Sequence, residues 1–425
     1  MTPANELLDD LQWRGLIVQS TDLGALREAL DQGMLTYYCG FDPTAPSLHI
    51  GNLVQILTLR RLQLAGHRPL ALVGGATGLI GDPGGRSTER TLNPRELVAT
   101  WVGRLRAQIQ PFLTFEGPNA AVMVNNLDWI GQLSAIDLLR DIGKHFRVNK
   151  MITKDAVSAR LNSEAGISYT EFSYQVLQGM DFLELYRRHG CLLQTGGSDQ
   201  WGNLTAGLDL IHRVEGVSAH ALATPLVTKA DGTKFGKTAS GSVWLDPDMT
   251  SPYAFYQFWL NTDDRDVANY LKVFSFRPRE EIEALAAAVE SRPAAREAQR
   301  ALAAEITALV HGEKAMAAVV EASQALFGRG ELASLDERTL ADSLAELPRV
   351  SVSAPVPAYV DLLASSGLVS SKSAARRTVA EGGAYLNNRK VDDGDYVPTA
   401  ADLLAGRWMV LRRGRRALAA VELTS

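Results

Sequence analysis

Two short segments carry the residue types needed to bind and activate a nucleotide. One is Pro43-Thr44-Ala45-Pro46-Ser47-Leu48-His49-Ile50-Gly51-Asn52, and the other is Lys234-Phe235-Gly236-Lys237-Thr238. His49 and Asn52 fall three apart at the predicted start of a helix, so they share a face of its first turn. Backbone N–H groups without helical partners and the positive end of the dipole lie there, which favours phosphate. A ring N–H from His49 and an amide N–H from Asn52 suit a triphosphate or a ribose. Metal ligation and a serine-type triad do not fit, since no partner has suitable spacing. Lys234 and Lys237 flank Phe235-Gly236 behind Asp231-Gly232, and two cations on a glycine-hinged loop suit a leaving pyrophosphate. The segment is not a P-loop: Gly232 to Gly236 encloses too few residues, and no apolar strand leads into it. In this order, around a strand–helix–strand pattern, the segments predict the two halves of an adenylate-forming site. Tyr174, Gln178 and Asp181 form a third constellation, spaced to line one face of a helix beside apolar Val176, Leu177 and Phe182. Each feature alone also fits a satisfied polar group, a basic surface turn or a solvated helix face; their combination singles out a site.

The elements that must position these residues are legible. Leu35 to Cys39 reads as a buried strand, Ile50 to Leu64 as a helix ended by Gly66, and Pro69 to Val73 as the next strand. This is a parallel crossover unit. The glycine-rich Gly74 to Gly85 follows and is expected to let the backbone approach a ligand closely. Ala121 to Asn125 and Cys191 to Gln194 are further strands, and Ile130 to Tyr186 is mostly helical in pattern. Ser251 to Phe327 has helical periodicity, Gly328 to Pro357 reads as a linker, and Tyr359 to Ser425 carries a smaller core of its own.

With 425 residues, 46% hydrophobic and 21% charged, the chain has an ordinary globular composition sized for two or three domains. The polar, acidic Met1 to Asp10 is no signal peptide, and no apolar run reaches membrane-spanning length. The only cysteines, Cys39 and Cys191, argue against a disulfide framework or a structural zinc site, so the cytoplasm is expected. Ser351 to Ser425 carries 10 Lys/Arg against 7 Asp/Glu, whereas the rest carries 33 against 41. A basic tail on an acidic body suggests an anionic macromolecular partner at that end, or simply a solvated surface.

Beyond these local readings, the chain resembles the bacterial tyrosyl-tRNA synthetases, class I aminoacyl-tRNA synthetases, over nearly its whole length. The likeness rests on Tyr38-Cys39-Gly40-Phe41-Asp42-Pro43-Thr44, His49-Ile50-Gly51-Asn52, the glycine stretch from Ala71 to Pro83, Phe172-Ser173-Tyr174 with Gln178 and Asp181, Gly196 to Asn203, and Lys234 to Thr238. The resemblance implies an α/β fold: a Rossmann-like parallel-sheet catalytic domain over 1–250, with a dimer-forming insertion at about 130–170 that includes Asp141 to Phe146 and Tyr169. A helical anticodon-arm domain over 251–328, a linker over 329–355 and a small α+β S4-type RNA-binding domain over 356–425 follow. It implies activation of L-tyrosine by ATP, with magnesium, to tyrosyl-adenylate and diphosphate. Transfer to the 3′ end of tRNA(Tyr) comes next. A carboxylate is already nucleophilic at neutral pH, so activation needs positioning and charge stabilisation more than a general base.

By the same resemblance, Thr44 and His49 hold the triphosphate in the transition state, and Arg86, Arg90, Lys234, Lys237 and Thr238 belong to mobile cationic loops around pyrophosphate. Cys39, Gly197 and Asp199 meet the ribose, Asn52 lies near its ring oxygen, and Gly40, Asp42 and Gly51 complete the ATP site. Tyr38 and Asp181 hydrogen-bond the substrate phenol, Asp82, Tyr174 and Gln178 take the ammonium, and Gln200 meets the carboxyl. Lys372, Arg376, Arg377, Lys390, Arg412, Arg413, Arg415 and Arg416 would grip RNA phosphates. A homodimer is implied, with no tightly bound cofactor, no protein-held metal and no membrane. Asn52 stands where a second histidine is frequent, Arg86 where lysine is common, and Phe235-Gly236 and Thr238 where the class-wide loop has Met-Ser and Ser. Rival expectations are a tryptophanyl enzyme, a small-molecule adenylyltransferase, and a non-catalytic RNA-binding protein on a synthetase scaffold. The phenol-reading pair, the double-lysine loop with the tail, and the intact set of site residues argue against them in turn.

Overall fold

The structure is a computed structural model that describes residues 2–82, 92–164, 166–233, 235–238 and 241–424; for Asp155, Ala156, Lys237 and Thr238 it describes the backbone alone. The chain forms two compact units, Met1–Asp246 with Asp264–Glu290, and Pro247–Asp263 with Ser291–Ser425.

The first unit is built on a six-stranded sheet of β1 (Gln19–Ser20), β2 (Thr36–Phe41), β3 (Arg68–Val73), β4 (Val122–Asn125), β5 (Cys191–Gly197) and β6 (His220–Thr224). The spatial order is β1-β6-β5-β2-β3-β4. All neighbours run parallel except β1, which is antiparallel to β6. This is the Rossmann-like arrangement expected. The chain winds outward from β2 through β3 and β4, then crosses to β5 on the other side. β2 and β5 therefore flank a topological switch point, where loops leave in opposite directions and open a crevice at the strand carboxyl ends. β6 escaped the sequence reading because Ala221-Leu222-Ala223 carries little β signal.

The helix Ile50–Leu64 has the bounds that the apolar spacing predicts, and Gly66 follows its end at φ 105°. Between Ile130 and Tyr186 the chain is mostly helical, as expected, but not as one continuous element. Only short helical pieces run from Ala135 to Leu161, and one long helix spans Tyr169–His189. Ser168 caps that helix by accepting the Glu171 N–H, and Gly190 in the left-handed region ends it. Its apolar face, with Met180, Phe182, Leu183 and Leu185, packs with Tyr38, Leu70 and Leu72 of the sheet.

Helices Asp264–Phe274 and Arg279–Ser291 were expected in a helical domain over 251–328, yet Asp264–Glu290 belongs to the first unit. The reason is a polar clamp that periodicity cannot reveal. A helix end leaves carbonyls without helical partners. Here the buried Arg14 donates to the carbonyls of Lys272 (3.1 Å), Ser275 (2.9 Å) and Arg277 (2.9 Å), and Arg61 donates to those of Val273 (3.3 Å) and Ser275 (2.6 Å).

In the second unit, helices Pro252–Leu260, Glu297–His311 and Glu313–Leu326 pack together. Within the first unit, the lysine segment supplies a two-stranded hairpin of β7 (Lys237–Thr238) and β8 (Gly241–Ser242). The linker expected over 329–355 contains the helix Glu337–Ala345 and β9 (Arg349–Val352). With β10 (Ala384–Leu386), β11 (Arg389–Lys390), β12 (Trp408–Arg413) and β13 (Ala417–Leu423), β9 completes a five-stranded sheet ordered β11-β10-β12-β13-β9. β9 pairs parallel with β13, while the other pairs are antiparallel. So short a strand, next to Ser353-Ala354-Pro355, leaves no sustained period to read. Asn387 and Asn388, both at positive φ, turn β10 into β11 as a tight hairpin.

Arg14→Met keeps the apolar stem but removes the guanidinium donor of the Lys272 and Arg277 carbonyls, while Ser275 keeps that of Arg61. We expect a destabilisation of about 3 kcal/mol, read as a lowered midpoint of thermal unfolding with unchanged secondary structure at low temperature.

Candidate active site at the switch point

At the carboxyl ends of β2, β3 and β4 a ring of hydrogen bonds closes on one face of the helix Tyr169–His189. The Tyr174 hydroxyl donates to Asp42 Oδ2 (2.7 Å), just past β2. Thr77 Oγ1, just past β3, donates to Asp42 Oδ1 (2.6 Å). Asn126 Nδ2, just past β4, donates to Thr77 Oγ1 (3.0 Å) and to Asp181 Oδ2 (3.0 Å), and Trp129 Nε1 donates to Asp181 Oδ1 (2.8 Å). Asn126 Oδ1 accepts the Ala76 N–H at 2.7 Å. Tyr174 and Asp181 thus share a face, as their spacing predicts.

Asp181 is 2% exposed and Tyr38 1%. Burial pushes the Asp181 carboxyl up to about 8, opposed by the N–H donors of Asn126 and Trp129. The Tyr38 phenol is raised by its own burial and by Asp181. Its hydroxyl, Gln178 Oε1 and Gln194 Oε1 are buried without a hydrogen-bond partner among the described residues. Tyr38 and Gln194 are register partners on β2 and β5, so their side chains leave the same face of the sheet. Buried polar atoms without partners mark a place where a ligand's polar groups are needed.

Asp82 and Gln200, predicted at the ammonium and carboxyl of an amino acid, are brought together: Gln200 Nε2 donates to Asp82 Oδ2 at 2.9 Å. Asn203 Nδ2 fixes the amide from the other side at Gln200 Oε1 (2.9 Å). A cavity of about 560 Å³ opens here, lined by Asp82, Tyr174, Asp199, Gln200 and Lys154 among others.

The helix start at His49 has a more specific geometry than its sequence suggests. His49 Nδ1 accepts the Gly51 N–H at 3.0 Å, so the ring proton sits on Nε2. Asn52 Oδ1 accepts the His49 N–H at 3.1 Å, so its amide nitrogen is the group left to donate outward. His49, Thr44 and Gly51 are exposed. Gly40 is exposed at the end of β2, and Gly197 lies opposite at the end of β5. Cys39 is buried, its thiol faces Gln55 Oε1 at 3.8 Å, and burial pushes it up to about 12.

Two glycine expectations change. Gly74 was expected to let the backbone approach a ligand. Instead a Cβ there would lie 2.0 Å from Asp42 Oδ1 and 2.2 Å from Thr77 Oγ1, so the room it leaves is used by the hydrogen-bonded ring itself. Gly236, at φ 79°, lies against Ile50, where a Cβ would fall 2.9 Å from Cγ1. That contact joins the two motif segments. Val243 to Leu245 also pairs with Leu48 to Ile50 through Ile50 N–H to Val243 O (3.0 Å) and Leu245 N–H to Leu48 O (2.8 Å). Arg86, Arg90 and Lys234 lie outside the described residues, as do the side chains of Lys237 and Thr238.

Sequence reasoning missed Thr77, Asn126, Trp129, Gln194 and Asn203. Asn125-Asn126 and Gln194, each at the end of a predicted strand, carried a usable signal, since polar residues at strand ends line the crevice of such folds.

In the second unit the predicted RNA-facing cations are largely engaged within the chain. Lys372 pairs with Asp361 (2.5 Å), Arg376 with Asp395 (2.6 Å) and Lys390 with Asp392 (2.8 Å). Arg413 donates to the Leu368 carbonyl at 2.7 Å. Arg412 lies 3.9 Å over the Tyr385 ring and donates to the Gly414 carbonyl. Arg377, Arg415 and Arg416 are exposed.

The family described as tRNA synthetases class I (W and Y) matches residues 30–328, and that described as Tyrosine--tRNA ligase SYY-like C-terminal domain matches residues 339–421. The tyrosine–tRNA ligase of Streptomyces avermitilis is 70% identical over 420 residues, 99% of each chain. That of Mycobacterium bovis is 57% identical over 419 residues, 98% of each. A C-terminally truncated mitochondrial tyrosyl-tRNA synthetase from Aspergillus nidulans superposes with a TM-score of 0.69 at 29% identity, covering 76% of this chain and 97% of that one. With two family matches that together span most of residues 30–421 and whole-length relatives this similar, the chain belongs to the class I tRNA synthetases, and among them to the tyrosine–tRNA ligases.

Proposed function

We propose that this chain activates L-tyrosine with ATP to tyrosyl-adenylate and diphosphate, then transfers tyrosine to the 3′ end of tRNA(Tyr). The observation that carries the substrate assignment is the buried pair of Asp181, held by two N–H donors, and Tyr38, whose hydroxyl has no partner among the described residues. A phenol can donate to Asp181 and accept from Tyr38. Phenylalanine would leave both unsatisfied in a dry site. That selectivity principle is one for which tyrosyl-tRNA synthetase is itself the standard example.

Asp82 and Tyr174, with Gln178, take the ammonium, and Gln200 orients the carboxylate. The nucleophile needs no base; it needs to be held in line with the α-phosphorus. Thr44, His49 through Nε2–H, and the amide of Asn52 face the nucleotide at a helix N-terminus, where partial positive charge suits phosphate. Gly40, Asp42, Gly51, Gly197 and Asp199 line the nucleotide side, with Cys39 behind them. Arg86, Arg90, Lys234, Lys237 and Thr238 neutralise the departing diphosphate, which arrives with ATP and magnesium as one substrate.

The insertion supports a homodimer. Ile136, Leu139, Val148, Leu161 and Tyr169 are exposed, Tyr169 at 72%, a run of bare apolar side chains that a second copy would cover. The C-terminal S4-type unit binds tRNA by exchanging its exposed ion pairs, each worth about 0–1 kcal/mol, for phosphates. No described helix is long and apolar enough to cross a membrane, and two buried free thiols suit the cytoplasm.

ATP–pyrophosphate exchange with magnesium should proceed with tyrosine and not with phenylalanine or tryptophan. No exchange with any amino acid in a folded sample would favour the non-catalytic RNA-binding alternative. Asp181→Ala should reduce discrimination against phenylalanine by tenfold or more, roughly one lost buried hydrogen bond to a charged group; unchanged discrimination would refute the phenol assignment.

The raised Asp181 carboxyl gives a pH signature. In the empty site it gains a proton below about 8 and ceases to be a charged acceptor, so the tyrosine KM should fall as pH rises through that value. Asp181→Asn should flatten the profile. The same shift means that the folded state holds this proton from the ordinary carboxylate range of about 4 up to the raised value, so its contribution to stability is lost as pH rises through that window.

A chain ending before Arg349, so that β9 leaves together with its sheet, should keep exchange activity and lose tRNA charging. Equal loss in both steps would contradict a modular tail.

A further inference from the structure

We propose that the helix Asp264–Phe274 sets the position of the lysine segment, and that Phe235, Asp266 and Tyr270 are positioning residues for the activation step; this rests on the function proposed above. Asp266, Tyr270 and Phe274 are four apart and share one face of that helix. Each holds a different point of the chain leading into Lys234 to Lys237. Asp266 Oδ1 accepts the Ala230 N–H at 2.8 Å, and the Tyr270 hydroxyl donates to the Thr228 carbonyl at 3.2 Å. The Phe235 ring stacks on Phe274 at 5.3 Å and meets Tyr270 edge-on at 5.0 Å. Tyr270 and Phe274 are fully buried, so this is a core contact made by a loop residue.

Between these points the backbone is closed on itself. Asp231 Oδ1 accepts from the Thr233 N–H and hydroxyl, and Lys229 N–H donates to Thr233 O at 3.1 Å. The turn ends at Thr233, the Phe235 ring is anchored beyond it, and the adjoining Gly236 meets Ile50 at the nucleotide-facing helix start. Phe235 and Gly236, which stand between the two lysines in the sequence, thus meet two elements: the helix that presents His49 and Asn52, and Asp264–Phe274. The far end of the second helix is fixed by Arg61, which is carried by the first. A cation that acts on a leaving group works only when held to within a fraction of an ångström, and a misplacement of about 1 Å costs on the order of 100-fold in rate.

The test is pre-steady-state adenylate formation in the full-length protein, with burst amplitude counting active sites and tyrosine Kd measured by equilibrium binding. Phe235→Ala should slow the single-turnover rate at saturating ATP by about 10- to 100-fold, with burst amplitude and tyrosine Kd unchanged. Phe235→Met, which keeps apolar bulk, should recover most of the rate. Asp266→Ala should slow the step, and Asp266→Asn, whose amide oxygen still accepts from Ala230, should restore it. A wild-type rate in Phe235→Ala and Asp266→Ala would overturn the proposal. So would a reduced burst amplitude with a normal rate per site, which is a folding defect, or a rate loss matched by weakened tyrosine binding. Absence of exchange in the unaltered protein would instead refute the functional reading on which the proposal rests.

Discussion

Burying the Asp181 carboxylate constrains much of the catalytic unit. A carboxyl this far from water is tolerated only when its oxygens are met by donors. Asn126 and Trp129 supply them. Asn126 has only two amide hydrogens, and the second goes to Thr77, which in turn donates to Asp42, whose other oxygen takes the Tyr174 hydroxyl. Donor directions are therefore fixed around the whole ring. Loops after three different strands are held to one helix face, and Gly74 must lack a side chain to let the ring close. Groups locked in this way by second partners cannot swing, which is the rigidity that the proposed reading of a substrate hydroxyl requires.

The fold was legible wherever local pattern and burial coincide. The helix from Ile50 to Leu64 and the strands on either side of it follow from apolar spacing, and the shared face of Tyr174 and Asp181 follows from helical geometry. What escaped was the set of residues that act through other residues. Asn126, Trp129 and Thr77 look like an ordinary strand end, an interior aromatic and a glycine-rich turn, because their importance lies in pairings across the sheet. The same holds for Arg14 and Arg61. Nothing in a helical period says which unit Asp264–Phe274 joins; two guanidinium groups binding its last carbonyls do.

Charge was read correctly in sign but not in state. The tail is basic, yet several of its cations already have carboxylate or carbonyl partners. Pairs this exposed are weak, so they orient side chains without sequestering them. At the start of the helix Ile50–Leu64, His49 and Asn52 each use one polar atom to cap the helix, and this use sets the tautomer of the ring and the orientation of the amide.

The placement of β9 bears on how the C-terminal sheet comes into being. Its sole strand partner among the described residues is β13, the last strand of the sheet, with Arg349 opposite Ala420 and Val352 opposite Leu423. During synthesis β9 is the first strand of this sheet to emerge and must wait, both edges unpaired, until everything between has left the ribosome. Parallel pairing of the first and last strands is a high-contact-order step that follows the locally formed hairpin of β10 and β11. The sheet is consequently sealed by its latest-made segment, and loss of that strand would also strip β9 of its only pairing.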